Sequence, residues 1–294
     1  MPIDPSLKEF SAASNEAARL GGEVLLKWMG KITPQAKGFK DWVTQADFES
    51  QTVIKEFLTK EFPDHQFVGE ETLDADQAES DQAESDQITA DQNKPNGSPQ
   101  FCWIVDPLDG TTNYVHQLRS FAVSVGLQKK SNSPAPDEKQ NAIDQLLVGT
   151  VLDPVLREAY SAIKGHGATL NGDPIGASGC SELEKSLFVF SFSRGVKRND
   201  PEAIRFLNVL ESAGSIRRLG SAALNLCYVA CGRTDGYWAT ALSKWDVAAG
   251  WLIAAESGAT LADFRGHDLD LEKPHFCVAA TAELYDQIKP LLNV

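Results

Sequence analysis

Leu7, Phe10, Ala13, Ala17 and Ala18 recur at helical spacing behind Asp4, a capping residue, and Pro5, which suits the first helical position. The pattern predicts a helix reaching towards Met29. Thr44-Gln45-Ala46-Asp47 has the spacing of a capping box and leads into Val53, Ile54, Phe57 and Leu58 on one face. A second helix is predicted there, with Asp47 in its first turn. The middle of the chain reads as strands: 101–105, 122–126, 146–151, 158–163 and 187–191 are short apolar runs, with turns at Gly165-His166-Gly167 and Asn171-Gly172. The last third alternates predicted helices over 201–211, 221–231, 247–257 and 282–292 with short strands near 236–238, 259–261 and 276–280. This is a mixed α/β chain, antiparallel in the middle and more αβ-alternating at the end.

Two stretches break the pattern. Asp76-Gln-Ala-Glu-Ser80 repeats as Asp81-Gln-Ala-Glu-Ser85, with Ile88 the only large apolar residue nearby. Such a segment buries too little surface to offset its ordering entropy, so 74–99 is expected to be a mobile acidic loop. Residues 129–140 are polar and contain Pro, and also read as a surface loop. Over the whole chain, 42% hydrophobic residues with 14 Phe and 6 Trp supply ample core material.

A net charge of -14 argues against a general nucleic-acid or anionic-membrane binder, since both need a basic surface. Five cysteines without a paired spacing fit a reducing compartment better than a disulfide framework. With neither a signal-like start nor a long apolar run, a soluble cytoplasmic protein is expected.

The most informative stretch is Trp103-Ile-Val-Asp106-Pro-Leu-Asp109-Gly110-Thr111-Thr112-Asn113. A strand is expected to end at one carboxylate, turn through Pro107 and present a second. Two carboxylates and a backbone carbonyl beyond a strand suit a hard cation such as Mg²⁺. Gly110 and Thr111, opening a helix, would point N–H groups at an anion. The same residues are ordinary turn formers, so a well-made turn is the competing reading. Taken alone, Glu70-Glu71 after an apolar run and Asp246 in Trp245-Asp246-Val-Ala-Ala-Gly250 are a solvated strand end and a helix-capping acid. Cys227 and Cys231, among Leu224 and Leu226, read as small core residues.

Together, in this order, Asp47, the Gly69-Glu70-Glu71 triplet, Asp106-Pro-Leu-Asp109-Gly-Thr-Thr, Gly165-His-Gly-Ala-Thr-Leu-Asn-Gly172, Gly220-Ser-Ala-Ala-Leu-Asn-Leu-Cys227 and Trp245-Asp246 resemble the inositol monophosphatase family over nearly the whole chain. The resemblance implies the alternating αβαβα layered sandwich shared with fructose-1,6-bisphosphatase, as one catalytic unit whose halves, 1–180 and 181–294, meet at the site. It implies a lithium-sensitive homodimer that hydrolyses a small polyol or sugar phosphate with two to three Mg²⁺ and no phosphoenzyme. Glu70, Asp106 and the Leu108 carbonyl would hold a first ion, and Asp106, Asp109 and Asp246 a second, with Glu70 also facing a weaker third site. Gly110 and Thr111 would receive the phosphate. Thr111 and Asp47 would orient and deprotonate the attacking water, with Glu70 also in the catalytic group. Asp109, Ala222 and Ala239 would lie on the substrate side.

One position departs from the family pattern. Seven residues before the Trp-Asp aspartate, where inositol-specific members carry a hydroxyl-reading Glu, this chain has Ala239. Inositol 1-phosphate is therefore the leading candidate on resemblance alone, with histidinol phosphate, fructose 1,6-bisphosphate and 3'-phosphoadenosine 5'-phosphate as alternatives. A haloacid dehalogenase-type phosphatase is disfavoured, because Asp106 and Asp109 are one residue too far apart for its Asp-x-Asp motif. A catalytically silent relative binding a phosphate ligand or a partner protein is the reading from another class.

The acidic residues also fall into groups. Asp74 to Asp91 contribute -7, and Asp47, Glu70, Glu71, Asp106, Asp109 and Asp246 contribute -6, leaving the rest nearly neutral.

Overall fold

A computed structural model describes residues 3–38, 41–71, 100–130 and 145–294. The acidic repeat and nearly all of the second polar loop fall outside the described residues. Asp4 caps α1 (Pro5–Trp28), its side chain accepting from the Ser6 N–H, and Thr44 caps α2 (Gln45–Glu61). Both caps are those expected from the sequence. A pair of short antiparallel strands, β1 (Gln35–Gly38) and β2 (Asp41–Val43), precedes α2 and carries no clear alternation in sequence.

Seven strands form the first sheet in chain order: β3 (Gln66–Gly69), β4 (Phe101–Asp109), β5 (Ala122–Lys129), β6 (Leu146–Asp153), β7 (Glu158–Ile163), β8 (Ala168–Leu170) and β9 (Asp173–Ile175). Only β3 and β4 are parallel; the others are an antiparallel meander. The two-residue turn between β8 and β9 is Asn171-Gly172, both at positive φ, as a hairpin of this length demands.

The second sheet has the order β11-β10-β12-β14-β13, built from β10 (Leu187–Phe190), β11 (Ser215–Arg217), β12 (Gly236–Ala239), β13 (Thr260–Ala262) and β14 (Phe276–Ala279). Here β11, β10 and β12 run parallel, so their carboxyl ends share one edge. Five further α-helices, α3 (Thr111–Val115), α4 (Pro201–Ser212), α5 (Ala222–Ala230), α6 (Lys244–Glu256) and α7 (Ala282–Leu292), and a 3-10 turn at Leu183–Lys185 complete the elements of the described residues.

Alternation along β4 shows how the layers stack. Trp103 and Val105 join a core with Phe10, Leu25, Ile54 and Leu58 of α1 and α2, while Cys102 and Ile104 face a second core with α5 and α6. A third core places Val209 of α4 and Leu284 and Ile288 of α7 against Phe188, Trp238 and Cys277. The order is therefore α1/α2, first sheet, α5/α6, second sheet, α4/α7: the αβαβα sandwich. Residues Val247 to Ala254 of α6 are all buried, as a helix between two sheets must be. Its close seat depends on Gly149, where a Cβ would lie 2.9 Å from the Ala249 Cα and carbonyl oxygen. No helix among the described residues is long and apolar enough to cross a membrane.

Candidate active site

The site forms where β4 ends. The strand continues to Asp109 instead of stopping at Asp106, which corrects the turn expected at Pro107. Pairing with β5 steps from Asp106–Ser124 to Asp109–Ala122, so one extra residue bulges beside a Pro that cannot donate to the ladder. Asp106 is buried within this bulge, its Oδ1 accepting from the Leu108 N–H at 3.0 Å. Ser50 of α2 fixes the other side, donating to the Pro107 carbonyl at 3.0 Å.

Asp109 points at the start of α5. Its carboxylate accepts from the N–H groups of Ala222 (3.1 Å) and Ala223 (2.7 Å) and from the Ser221 hydroxyl. These donors and the helix N-terminus offset the cost of burying the charge. Ser221, quoted within the Gly220–Cys227 motif but given no role from sequence, is thus a direct partner of Asp109. Its signal was the Ser before an apolar helix, which by itself reads only as a cap. Ala222, placed on the substrate side from sequence, directs its N–H at Asp109.

Asp246 arrives from the far end of the chain, in the first turn of α6, where the Ser243 N–H donates to it at 2.7 Å. It caps the helix and at the same time lies beside Asp106 and Asp109. Ser124 ties the same turn to the first sheet by donating to the Trp245 carbonyl at 3.3 Å. Asp106, Asp109 and Asp246 each bring an oxygen within 4.8 Å of the other two. Glu70, partly buried after β3, lies close enough for its charge to act on Asp106.

Gly110 makes the next turn possible. Its φ is 92°, and a Cβ would sit 3.0 Å from the Ser120 carbonyl oxygen and 3.3 Å from that of Gly220. The five-residue α3 follows, beginning at Thr111. The Thr111 hydroxyl lies 3.1 Å from the Leu108 carbonyl and 3.4 Å from Asp47 Oδ1. Asp47 is buried and accepts from Thr44 through both its N–H (2.9 Å) and its hydroxyl (2.6 Å). Asn113 clamps the segment by donating to the Ser120 and Leu219 carbonyls, each at 2.7 Å. Ala239 ends β12 fully buried, presenting no side-chain surface.

Crowding shifts these acids together. Burial first, then the charges of Glu70, Asp109 and Asp246, push Asp106 well above the carboxylate range. Burial outweighs the Ser221, Ala223 and Ala222 donors and raises Asp109. Burial raises Asp47 to about 7, and burial with the Asp109 charge raises Asp246 to about 7. Two unit charges ~4 Å apart repel by about 4 kcal/mol at an effective dielectric near 20, so a divalent cation would relieve the cluster. The donors are all oxygen, the chemistry a hard cation prefers.

A family model described as the inositol monophosphatase family matches residues 6–293. The chain belongs to the inositol monophosphatase family. Tomato inositol monophosphatase 1 is 36% identical over 288 residues, spanning 96% of this chain and 93% of that protein. A Pasteurella multocida relative named Nus factor SuhB is 35% identical over 195 residues, 65% of this chain and 68% of its own length. An inositol monophosphatase structure from Anabaena superposes with a TM-score of 0.75 at 30% identity, covering 98% of this chain and 96% of the other. Membership makes this protein a metal-dependent phosphoric monoester hydrolase of inositol monophosphatase fold.

Proposed function

We propose that the protein is a Mg²⁺-dependent phosphomonoesterase acting on a small polyol or sugar phosphate by direct attack of water. The convergence of Asp106 and Asp109 from the end of β4 with Asp246 from the first turn of α6 carries this reading. Those three side chains, with Glu70 and the Leu108 carbonyl, would hold the cations. When bound, such ions supply Lewis acidity and charge neutralisation towards a phosphoryl group and a water molecule.

The protein's own residues do the rest. The N–H groups of Gly110 and Thr111 receive phosphate oxygens, free of intrahelical partners at the start of α3. The Thr111 hydroxyl orients the water, and Asp47, titrating near neutrality, accepts its proton. No side chain need be phosphorylated. Inositol 1-phosphate is the reference substrate, and histidinol phosphate, fructose 1,6-bisphosphate and 3'-phosphoadenosine 5'-phosphate complete the panel. Phosphate release from that panel with and without Mg²⁺ is the test; no Mg²⁺-dependent release from any of them would refute the proposal.

The homodimer implied by the family finds support in α4, where Ile204, Leu207 and Leu210 share one face and are 42%, 50% and 49% exposed. Sedimentation of the wild type and Leu207→Glu tests it: an unchanged mass would refute this interface.

A further inference from the structure

Residues 263–275 join β13 to β14, with Asp263 at one end of the connection and His275 at the other. The two ends close on one another. Asp263 is buried, and its Oδ1 accepts from the N–H groups of Arg265 (2.7 Å) and His267 (2.8 Å). Its own N–H donates to the His267 carbonyl at 2.8 Å, and its carbonyl accepts from the Tyr285 hydroxyl at 2.6 Å. The carboxylate is thereby held in place with its second oxygen against two imidazoles. Oδ2 lies 3.1 Å from His267 Nδ1 and 3.8 Å from His275 Nε2.

His275 is fixed from its far side. Its Nδ1 lies 3.2 Å from the Lys273 carbonyl, and since a carbonyl only accepts, Nδ1 carries the hydrogen. In the neutral ring Nε2 is then a lone pair facing a carboxylate, an arrangement made favourable by a proton or a metal cation between them. Metal-ligating histidines have this same support, the outer ring nitrogen donating to a backbone carbonyl. The edge of Phe264 packs on the His275 ring, their centres 5.8 Å apart. Arg205, in the same cleft of about 410 Å³, lies over the other ring neighbour, Phe264, and donates to the Leu292 carbonyl at 2.7 Å. A tetrahedral ion with ligands at ~2.0–2.2 Å spaces its donor atoms by roughly 3.4 Å, between the two distances seen here. The three side chains do not yet converge as Asp106, Asp109 and Asp246 do, but both imidazoles are exposed, so closing the gap between them needs only side-chain rotation.

We propose that Asp263, His267 and His275 form a second metal site, for a transition ion such as Zn²⁺, that staples the β13–β14 connection. Two imidazoles with one carboxylate suit Zn²⁺, Cu²⁺ or Ni²⁺, whereas the oxygen donors of the Asp106 cluster suit Mg²⁺. The connection carries Leu269 and Leu271 into the central core with α6, and Glu272 pairs with Lys244 at the start of that helix at 3.1 Å. An ion held only by the folded connection stabilises the native state.

The test uses the full chain in excess Mg²⁺, which fills oxygen sites and leaves imidazoles to softer ions. Zn²⁺ should bind in titration calorimetry as a single ion and raise the melting temperature. His267→Gln and His275→Gln, surface changes that leave the backbone bonds of Asp263 in place, should each weaken Zn²⁺ binding by at least about tenfold and remove that rise. Cu²⁺ as a probe reports the ligands directly. Its electron paramagnetic resonance spectrum should show coupling to two imidazole nitrogens in the wild type and in Asp246→Asn, and to one in either Gln variant. Nitrogen coupling unchanged in both Gln variants, or no Zn²⁺ binding in excess Mg²⁺, overturns the site. A melting temperature that responds to pH through these histidines but not to Zn²⁺ shows an imidazolium–carboxylate pair only, and overturns it equally.

Discussion

Adding Mg²⁺ to the metal-free protein should raise its melting temperature, and far more at pH 8 than at pH 5. In the metal-free fold Asp47 and Asp246 each titrate at about 7, against 3.8 for an ordinary aspartate. A raised carboxyl pKa means the native state binds more protons than the unfolded chain between pH 4 and 7. Metal-free stability from these groups is therefore greatest below pH 4 and is lost as pH climbs to 7. For Asp47, almost fully buried, the loss is on the order of 4 kcal/mol. Mg²⁺ reverses the cost at high pH, where Asp246 is already ionised. At pH 5 the ion must first displace its proton, two units below the pKa, which weakens apparent affinity by about a hundredfold.

At pH 8 a concentration ~100 times the Kd stabilises by about 2.7 kcal/mol per ion. At pH 5 the same concentration merely equals the weakened Kd and contributes roughly 0.4 kcal/mol. A chain this size shifts by roughly 2 °C per kcal/mol, so each ion is worth about 5 °C at pH 8 against about 1 °C at pH 5. Differential scanning fluorimetry with and without Mg²⁺ at the two pH values reads this directly. Equal shifts at both, or no shift at pH 8, would refute the claim that a cation takes the place of protons among these carboxylates. Asp246→Asn should abolish most of the pH 8 response.

The same variant should lower turnover by at least about a hundredfold in phosphate-release kinetics, and wild-type-like rates would remove Asp246 from the centre. Ser221→Ala takes a hydroxyl from Asp109; activity titrated with Mg²⁺ should show roughly tenfold weaker activation, with kcat at saturation largely kept. Asp47→Asn should depress kcat by about a hundredfold with little change in KM, and the acid limb of the pH–rate profile near 7 should disappear with it. Gly149→Ala drives a methyl to 2.9 Å from the Ala249 backbone, so urea unfolding should show a loss of about 1–3 kcal/mol.

What the sequence shows of this molecule follows from how local each signal is. Caps at Asp4 and Thr44, the Asn171-Gly172 turn and the α7 helix are fixed by residues within one or two turns, and they appear where the pattern places them. β11, three residues beginning at Ser215, and β1 have no side-chain alternation of their own and exist through pairing with β10 and β2. The bulge that aims Asp106 and Asp109 was likewise invisible, because Pro107 suggests a turn equally well until β5 is set beside it. Among the acids, the Asp106–Asp109 motif is legible because chemistry is concentrated in four residues. Asp246 is not, because its local environment is that of any helix cap; only the order of motifs along the chain links it to Asp106.

That double use of Asp246 bears on how the first sheet holds the central helix layer. Ser243 and Asp246 start α6, whose apolar body lies between the sheets, and Ser124 of β5 holds the Trp245 carbonyl of the same turn. Asp109 in turn ends β4 while accepting from the first residues of α5. The first sheet therefore grips both helices of the central layer, α5 through Asp109 at the end of β4 and α6 through Ser124 of β5. A cation drawing Asp109 and Asp246 together pulls on the N-termini of both central helices at once, and through them on the seat of Ala249 against Gly149. Occupancy of the centre and packing of the sandwich are on this account one equilibrium. Hydrogen exchange within α5 and α6 should slow together when Mg²⁺ binds at pH 8, and slowing confined to residues 106–113 would show that the centre closes without tightening the layers.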